Sequence, residues 1–515
     1  MAQVHIDGER LTIEDVVEVA RNKATVAITE KAKARVRKSR EVLEKLVGEG
    51  HVIYGVNTGF GLLSNIKIPP RDMRELQVNL IRSHSAGVGQ PLSTEIVRAV
   101  MLLRANTLAK GNSGIRLETL ETLLEMLSKR VHPVIPSKGS VGASGDLAPL
   151  SHMILVLIGE GKAEYRGRIL NGKDAMHAAG IKPVQLEFKE GLALNNGTQL
   201  MTGIGALAIF DAENLVKTCE VSAALTLEAL LGVSDAFDRR IHTVRPHLGQ
   251  VATARDVRRL LSGSKLVQTG KKAMERGRRP HDPYSLRCIP QVVGAAKDAI
   301  AYARKIVNVE LNSATDNPLI FPEDGACFSG GNFHGQPISL ALDILGIALT
   351  IVGNVSERRI ALLVDEKMSN GLPAFLIPSR AKAGLNSGLM TAQYTAAALA
   401  SENKVLVHPA SADSIPTSAG FEDFVSMGVT AAHKSLKIIE NVGYILAIEL
   451  LCAAQAVEFR GREKMGRGTR KAYYAVRKTV PRIVEDRVLT DHIEKIRGCI
   501  EKGDFGNILD GLSKK

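Results

Sequence analysis

The sequence contains no tryptophan, and aromatic residues make up only 4% of its 515 positions. A chain of this length must still bury a sizeable core. Ala, Leu, Ile and Val therefore have to fill it, which suits packed helices better than a β-sandwich. Cysteine is scarce as well. The five (Cys219, Cys288, Cys327, Cys452 and Cys499) are odd in number, widely scattered and never in a C-x-x-C pair, so neither a disulfide framework nor a zinc ribbon is indicated. Buried reduced thiols in a cytoplasmic protein are the expectation. The thirteen histidines include no H-E-x-x-H pair, and no metal site is expected. The opening MAQVHIDGERLTIEDVV lacks a basic region followed by an apolar run, so no secretory signal is read. The most apolar stretch, Leu340 to Val355, is interrupted by Asp343 and reads as too short to span a bilayer. No membrane partner is expected.

Positive charge is what the chain has in excess, with 67 Lys and Arg against 54 Asp and Glu for a net +13. Basic residues bunch at Lys271, Lys272, Arg276, Arg278 and Arg279, and again from Arg460 to Lys478. Such clusters can mark nucleic-acid contact. These lack interleaved aromatics, zinc-finger spacing and RNP-type motifs, so solvated faces or loops are the reading and no nucleic acid is expected. The rest of the composition, 45% hydrophobic and 23% charged, is that of a globular protein. Length alone suggests two to four domains.

The pattern along the chain is mixed and then helical. A strand-like VHID is followed by Thr12-x-x-Asp15, a capping box opening a helix that carries Ile13, Val16, Val17 and Val19. Gly-rich turns recur at Gly55 to Gly61, Gly87 to Gly89 and Gly139 to Gly145, and such loops are the usual carriers of function. From about Gly203 the spacing of apolar residues becomes helical over 204–235, 288–313, 335–365, 385–405 and 424–458. These lengths imply a bundle, and apolar faces so extensive often meet other subunits. The fold class is therefore mainly α, with a mixed α/β domain over residues 1–203 and a helical bundle with a C-terminal helical region over 204–515. No internal repeat or low-complexity segment is present.

One loop asks for a chemical explanation. It reads Gly139-Ser-Val-Gly-Ala-Ser-Gly-Asp146, followed by Leu-Ala-Pro149-Leu-Ser-His152. It is no phosphate loop, since G-x-x-x-x-G-K-[ST] is missing, and no nucleophile elbow, since G-x-S-x-G would need another residue between Ser144 and Gly145. A tight turn with Asp146 as N-cap of the following helix accounts for Gly145 and Asp146. It leaves Ala143-Ser144 unexplained. If the loop is strained so that the Gly145 nitrogen meets the Ala143 carbonyl carbon, a five-membered ring can close. Loss of one water completes an imidazolone, and loss of the Ser144 hydroxyl as a second leaves an exocyclic methylene. Small Ala permits the approach, Ser supplies the leaving hydroxyl and Gly has an unhindered nitrogen. The product, a 4-methylidene-imidazol-5-one made from Ala143, Ser144 and Gly145, is an electrophile. A helix N-terminus beside it would draw electrons from it further.

The extended motif resembles the signature of the aromatic amino acid ammonia-lyases and aminomutases. The likeness runs from about His51 to Arg460 through Tyr54-GVNTGFG, Ser83-His84-SAGVG, EGLAL-Asn195-Asn196-GTQ, Asp282-Pro-Tyr284-Ser-Leu-Arg287, SATDNP, SGGNF-His334 and DSIPTSAGFEDFVSMG. The resemblance implies an ammonia-lyase/fumarase-like helical fold, no external cofactor, an amino acid substrate and a homotetramer whose active sites are shared between subunits. By the same resemblance Tyr54 is the base that removes the Cβ proton, with its pKa lowered by its surroundings. Arg287 is expected to clamp the substrate carboxylate, and Tyr284 and Asn196 to polarise or orient the electrophile. Phe333 is expected to pack beside it or against the substrate. Ser83, His84 and Glu422 look like the histidine-acting branch, with His84 and Glu422 meeting the substrate imidazole; the reaction implied is elimination of ammonia from L-histidine to trans-urocanate.

Some positions depart from that branch. His281 stands where Gln is common, Asn195 where an aliphatic residue is, Gly420-Phe421 precedes Glu422, and Phe424 replaces a usual His. These flank the presumed substrate site, with His281 counted among its binding residues. The rival reading keeps the electrophile but acts on tyrosine or phenylalanine, as a lyase or as a 2,3-aminomutase. From other classes, a non-catalytic basic helical assembly, a Ser144 hydrolase and a monomer with a self-contained bundle stay open at this stage.

Overall fold

A computed structural model describes residues 3–379 and 382–513. Its opening strand, Gln3–Ile6, pairs in parallel with Thr25–Ile28. Between them the Thr12 capping box forms: the Thr12 hydroxyl accepts from the Asp15 N–H and the Asp15 carboxylate accepts from the Thr12 N–H. The helix Ile13–Ala20 then buries Ile13, Val16, Val17 and Val19 along one face, as their 3-4 spacing requires.

The long apolar-periodic stretches are helices: Gln199–Ala229, Ile289–Glu310, Gln336–Val364, Met390–Leu406 and Gly428–Val457. By compactness the chain divides into two units, each assembled from separate stretches. The first comprises residues 1–210, 303–343 and 409–433, and the second 211–302, 344–408 and 434–515. The division therefore interleaves, whereas spacing along the sequence had suggested a single cut after residue 203. Helix length is the reason. Four of the long helices contain one of the unit boundaries, and a boundary inside a continuous periodic run leaves no mark in composition.

In the first unit four small sheets surround helices. Val88–Pro91 pairs with Pro136–Lys138, His132–Pro133 joins Lys162–Tyr165 and Arg168–Asn171, and Leu319–Phe321 pairs with Ala326–Phe328. At the centre runs Thr94–Ala109, in which every residue from Ile96 to Ala109 is buried. Such a helix takes its partners on all sides. Its two arginines are accordingly bonded to backbone: Arg98 to the carbonyls of Val19 and Leu127, and Arg104 to that of Asn196. A further buried cation, Lys189, pairs with Asp316 at 2.6 Å, both fully buried.

The second unit has an ionic core. Arg359 grips Glu449 through two bonds of 2.6 and 2.7 Å. The same carboxylate accepts from the hydroxyls of Ser222, Thr226 and Ser356, and all of these groups are buried. Part of the basic cluster is structural too. Arg278 donates to the Leu231 carbonyl and Arg460 to that of Ala229, where the helix Gln199–Ala229 ends and its last carbonyls need donors.

The helix Gln336–Val364 reaches 29 residues, so the apolar run that reads as too short in sequence belongs to an element long and apolar enough to cross a membrane. Of its apolar window 72% is buried inside the chain. The cost of burying ions predicts how the second unit responds to their loss. Arg359→Met leaves Glu449 without its cation and should destabilise the protein by about 3–5 kcal/mol, read as a fall in the urea midpoint. Arg359→Met with Glu449→Met should recover a large part of that loss.

Candidate active site

The Gly-rich loop is held in an unusual backbone conformation. Gly142, Ser144 and Gly145 have φ of 70°, 50° and 72°, and for a serine that region is strained. At Gly145 no side chain fits, because a Cβ would lie 2.2 Å from the Gly197 oxygen; at Gly142 it would lie 2.1 Å from Ser426 Oγ. Ala143, within the same turn, is buried.

Three helix N-termini bond to the loop, and a fourth helix starts from its end. Asp146 directly precedes the helix Leu147–Leu157. Its carboxylate caps a different helix from the one expected: it makes no cap bond to Leu147–Leu157 and instead accepts from the Leu200 and Met201 N–H groups, at 2.9 and 3.1 Å, at the start of Gln199–Ala229. Ser140 Oγ donates to it as well. Burial raises the Asp146 carboxyl to about 6 against these lowering hydrogen bonds. From two further helices, the Gly335 N–H, just before Gln336–Val364, donates to the Gly142 carbonyl, and the Met427 N–H, just before Gly428–Val457, donates to that of Val141.

A cavity of about 490 Å³ opens beside this loop. Tyr54, Ser83, His84, Ser144, Asn196, Ser418 and Glu422 give it polar groups, and Phe60, Leu63, Ile66, Ile68, Leu76, Leu80, Leu147 and Leu192 make its walls apolar. The apolar wall was legible in part. Leu76 and Leu80 precede His84 by eight and four residues on the helix Met73–His84 and so share its face. Ser418 gave no such signal.

Around Ser144 the contacts are specific. Asn196 Nδ2 donates to the Ser144 carbonyl at 2.9 Å, and Ser144 Oγ donates to Glu422 Oε1 at 3.2 Å. Glu422 sits on a turn closed by paired backbone bonds with Thr417, with Ser418, Ala419 and Gly420 all at positive φ. Tyr54 accepts from the Gly61 N–H at 3.1 Å. Burial raises its phenol above the ordinary value, the Gly61 bond opposes this and the nearby Glu422 charge adds to it. The direction is the reverse of the lowering expected for a base, since no Lys or Arg stands among the residues lining the cavity. His84 is held low, mainly by burial, and is neutral near pH 7.

Other expected site residues lie elsewhere. Tyr284 and Arg287 form a short helix of the second unit, where the Arg287 guanidinium stacks 4.7 Å from the Tyr284 ring centroid; Tyr284 is 70% exposed. His281 is exposed beside them. None of the three lines the cavity, and neither does Phe333, although the Gly335 that follows it is bonded to the loop. Asn195 also departs from expectation: it is fully buried and donates to Ser151 at 3.2 Å, facing a helix and not the cavity. Phe421 and Phe424 are largely exposed, the latter stacked on His334. Among the described residues no cluster of three or more His, Cys, Asp or Glu is placed to hold a metal ion.

The loop fits the methylidene-imidazolone that its sequence suggests. Ser144 and Gly145 both hold the positive φ of a tight turn, and the Cβ-free Gly145 is the only residue type that clears Gly197. Residues 11–478 match the family model described as aromatic amino acid lyase. A histidine ammonia-lyase of Alkaliphilus oremlandii is 55% identical over 98% of each chain. Among solved structures, a histidine ammonia-lyase from Trypanosoma cruzi superposes with a TM-score of 0.91 at 41% identity, covering 99% of this chain and 95% of that one. A tyrosine aminomutase from Streptomyces globisporus does so with a TM-score of 0.95 at 40% identity, covering 99% and 98%. The chain belongs to the aromatic amino acid lyase family.

Proposed function

We propose that this protein is a histidine ammonia-lyase, converting L-histidine to trans-urocanate and ammonia. The observation that carries the reading is the cavity in which Tyr54, His84, Asn196 and Glu422 surround the strained Ala143-Ser144-Gly145 turn. The relatives named above as histidine ammonia-lyases support the substrate. The five cysteines are all free, which suits a reducing cytoplasm.

Ala143, Ser144 and Gly145 would hold the methylidene-imidazolone as part of the chain, and that group would supply the electrophilic chemistry that makes ammonia a better leaving group. The other residues divide the remaining work. Asn196 holds the carbonyl side of the turn through its bond to the Ser144 oxygen. His84 and Glu422 offer polar groups to an imidazole between apolar walls, and Tyr54 takes the Cβ proton. A phenol held above its normal pKa is protonated at neutral pH, so the fraction able to act as base grows as pH rises. Removing it with Tyr54→Phe should lower kcat/KM by about 10²- to 10⁴-fold. In the unaltered enzyme kcat/KM should climb from neutral into alkaline pH, and the Phe variant should lose that climb.

The substrate carboxylate needs a cation that the cavity lining does not contain. We assign this to Arg287, with Tyr284, His281 and Phe333, brought to the cavity by other copies of the chain in a homotetramer. Ser144→Ala and Arg287→Met chains should each be inactive alone, yet mixed assemblies made by co-expression should regain activity. Confirmed mixed tetramers without activity would sink the shared site.

The substrate and the electrophile are tested together. Intact mass should be lower than the sequence by two waters, and Ser144→Ala should abolish the deficit. A panel of L-histidine, L-tyrosine and L-phenylalanine, followed by absorbance and by chromatography for β-amino acids, should give urocanate alone. Accumulation of a β-amino acid would favour the second reading, a 2,3-aminomutase, which rests on the likeness to the tyrosine aminomutase.

A further inference from the structure

Counting hydrogens beside His84 assigns its tautomer. Ser83 Oγ lies 3.1 Å from the Leu80 carbonyl oxygen and 3.0 Å from His84 Nδ1. Two oxygens at 3.1 Å with no hydrogen between them would repel, and the Leu80 carbonyl has none to give. The single Ser83 hydroxyl hydrogen is therefore spent on Leu80. The remaining contact, from Ser83 Oγ to Nδ1, then needs its hydrogen from the ring. A neutral imidazole carrying hydrogen on Nδ1 has a bare lone pair on Nε2, and Nε2 has no hydrogen-bond partner among the described residues, while the ring itself lines the cavity.

We propose that Ser83 is a positioning residue for substrate recognition: it holds His84 with hydrogen on Nδ1, so that Nε2 is presented to the cavity as an acceptor. This rests on the reading that the cavity takes the histidine ring. The second polar group there, Glu422, also accepts, its Oε1 receiving the Ser144 hydroxyl. Loss of that hydroxyl leaves Oε1 in want of a donor. A neutral imidazole brings an N–H for one of these acceptors, and a phenyl ring brings none. The cavity selects for ring donors, and Ser83 sets half of that selection without touching the substrate.

The tautomer can be read without catalysis. Magic-angle-spinning spectra of protein labelled with ¹⁵N-histidine, with His84→Gln used to assign the signal, should show pyrrole-type Nδ1 and pyridine-type Nε2 at neutral pH. In Ser83→Ala the two forms should mix, and Ser83→Thr should restore the single form. Kinetically, Ser83→Ala should raise KM for L-histidine about tenfold, the scale of one hydrogen bond, with a smaller change in kcat; Ser83→Thr should recover most of it. Hydrogen on Nε2 in the unaltered protein would overturn the proposal, as would a Ser83→Ala spectrum identical to it. A changed tautomer with unchanged KM would remove the link to substrate. Because the spectra are recorded without substrate, they stand even if L-histidine is not consumed, an outcome that counts against the proposed function alone.

Discussion

Everything at this site depends on holding one short turn, residues 142–145, in a conformation the chain would not adopt unaided. A serine at positive φ between two glycines at positive φ costs on the order of 1–3 kcal/mol for the non-glycine position, and that cost must be met by bonds from outside the turn. Backbone N–H groups at the start of three helices meet it, Leu200 and Met201 through Asp146, and Gly335 and Met427 directly on the loop. Each helix begins at the loop, so the unsatisfied N–H groups that every helix start carries are used as the restraint. The positive end of a helix dipole lies at such N–H groups, so the same bonds bring partial positive charge to the loop. Strain and electron withdrawal therefore have one structural source.

Asn196 shows how rigidity is carried outward from the turn. Its Nδ2 holds the Ser144 carbonyl, while its own carbonyl accepts from the fully buried Arg104. Arg104 also donates to Gln199, the first residue of the helix whose N–H groups bind Asp146. One cation thus fixes both the residue that holds the turn from one side and the helix that holds it from the other. Lys189, paired with Asp316, anchors the start of the short helix Glu190–Asn195 that leads into Asn196. Charges buried this deeply are retained at a desolvation cost, and here both lie along the chain of contacts leading to the turn.

What the sequence made legible follows from what is local. Capping at Thr12, the long helices and the peculiar chemistry of Ala143-Ser144-Gly145 all depend on neighbours within a few residues. The Asp146 partner was misread for the opposite reason: a residue placed as an N-cap has a side chain free to reach N–H groups more than fifty positions away, and only three-dimensional placement says which helix it caps. Asn195 and Asn196 are adjacent in sequence and face opposite ways, one to Ser151 and one to the cavity. The rise in the Tyr54 pKa had no signature at all, since it comes from burial and from Glu422, 368 positions further on in a chain of 515.

The electrostatic character of the cavity explains why its parts are divided as they are. It joins apolar walls to one acidic side chain, one neutral histidine and the amide of Asn196, with no basic residue of the Lys or Arg type. Such a surface is complementary to a flat ring with N–H donors and offers nothing to a carboxylate, which requires a fixed cation to leave water. An amino acid presents both groups, so half of it is matched by this cavity and half is not. A cation brought close to Tyr54 would lower its phenol, so a group that bound a carboxylate here would also favour the phenolate.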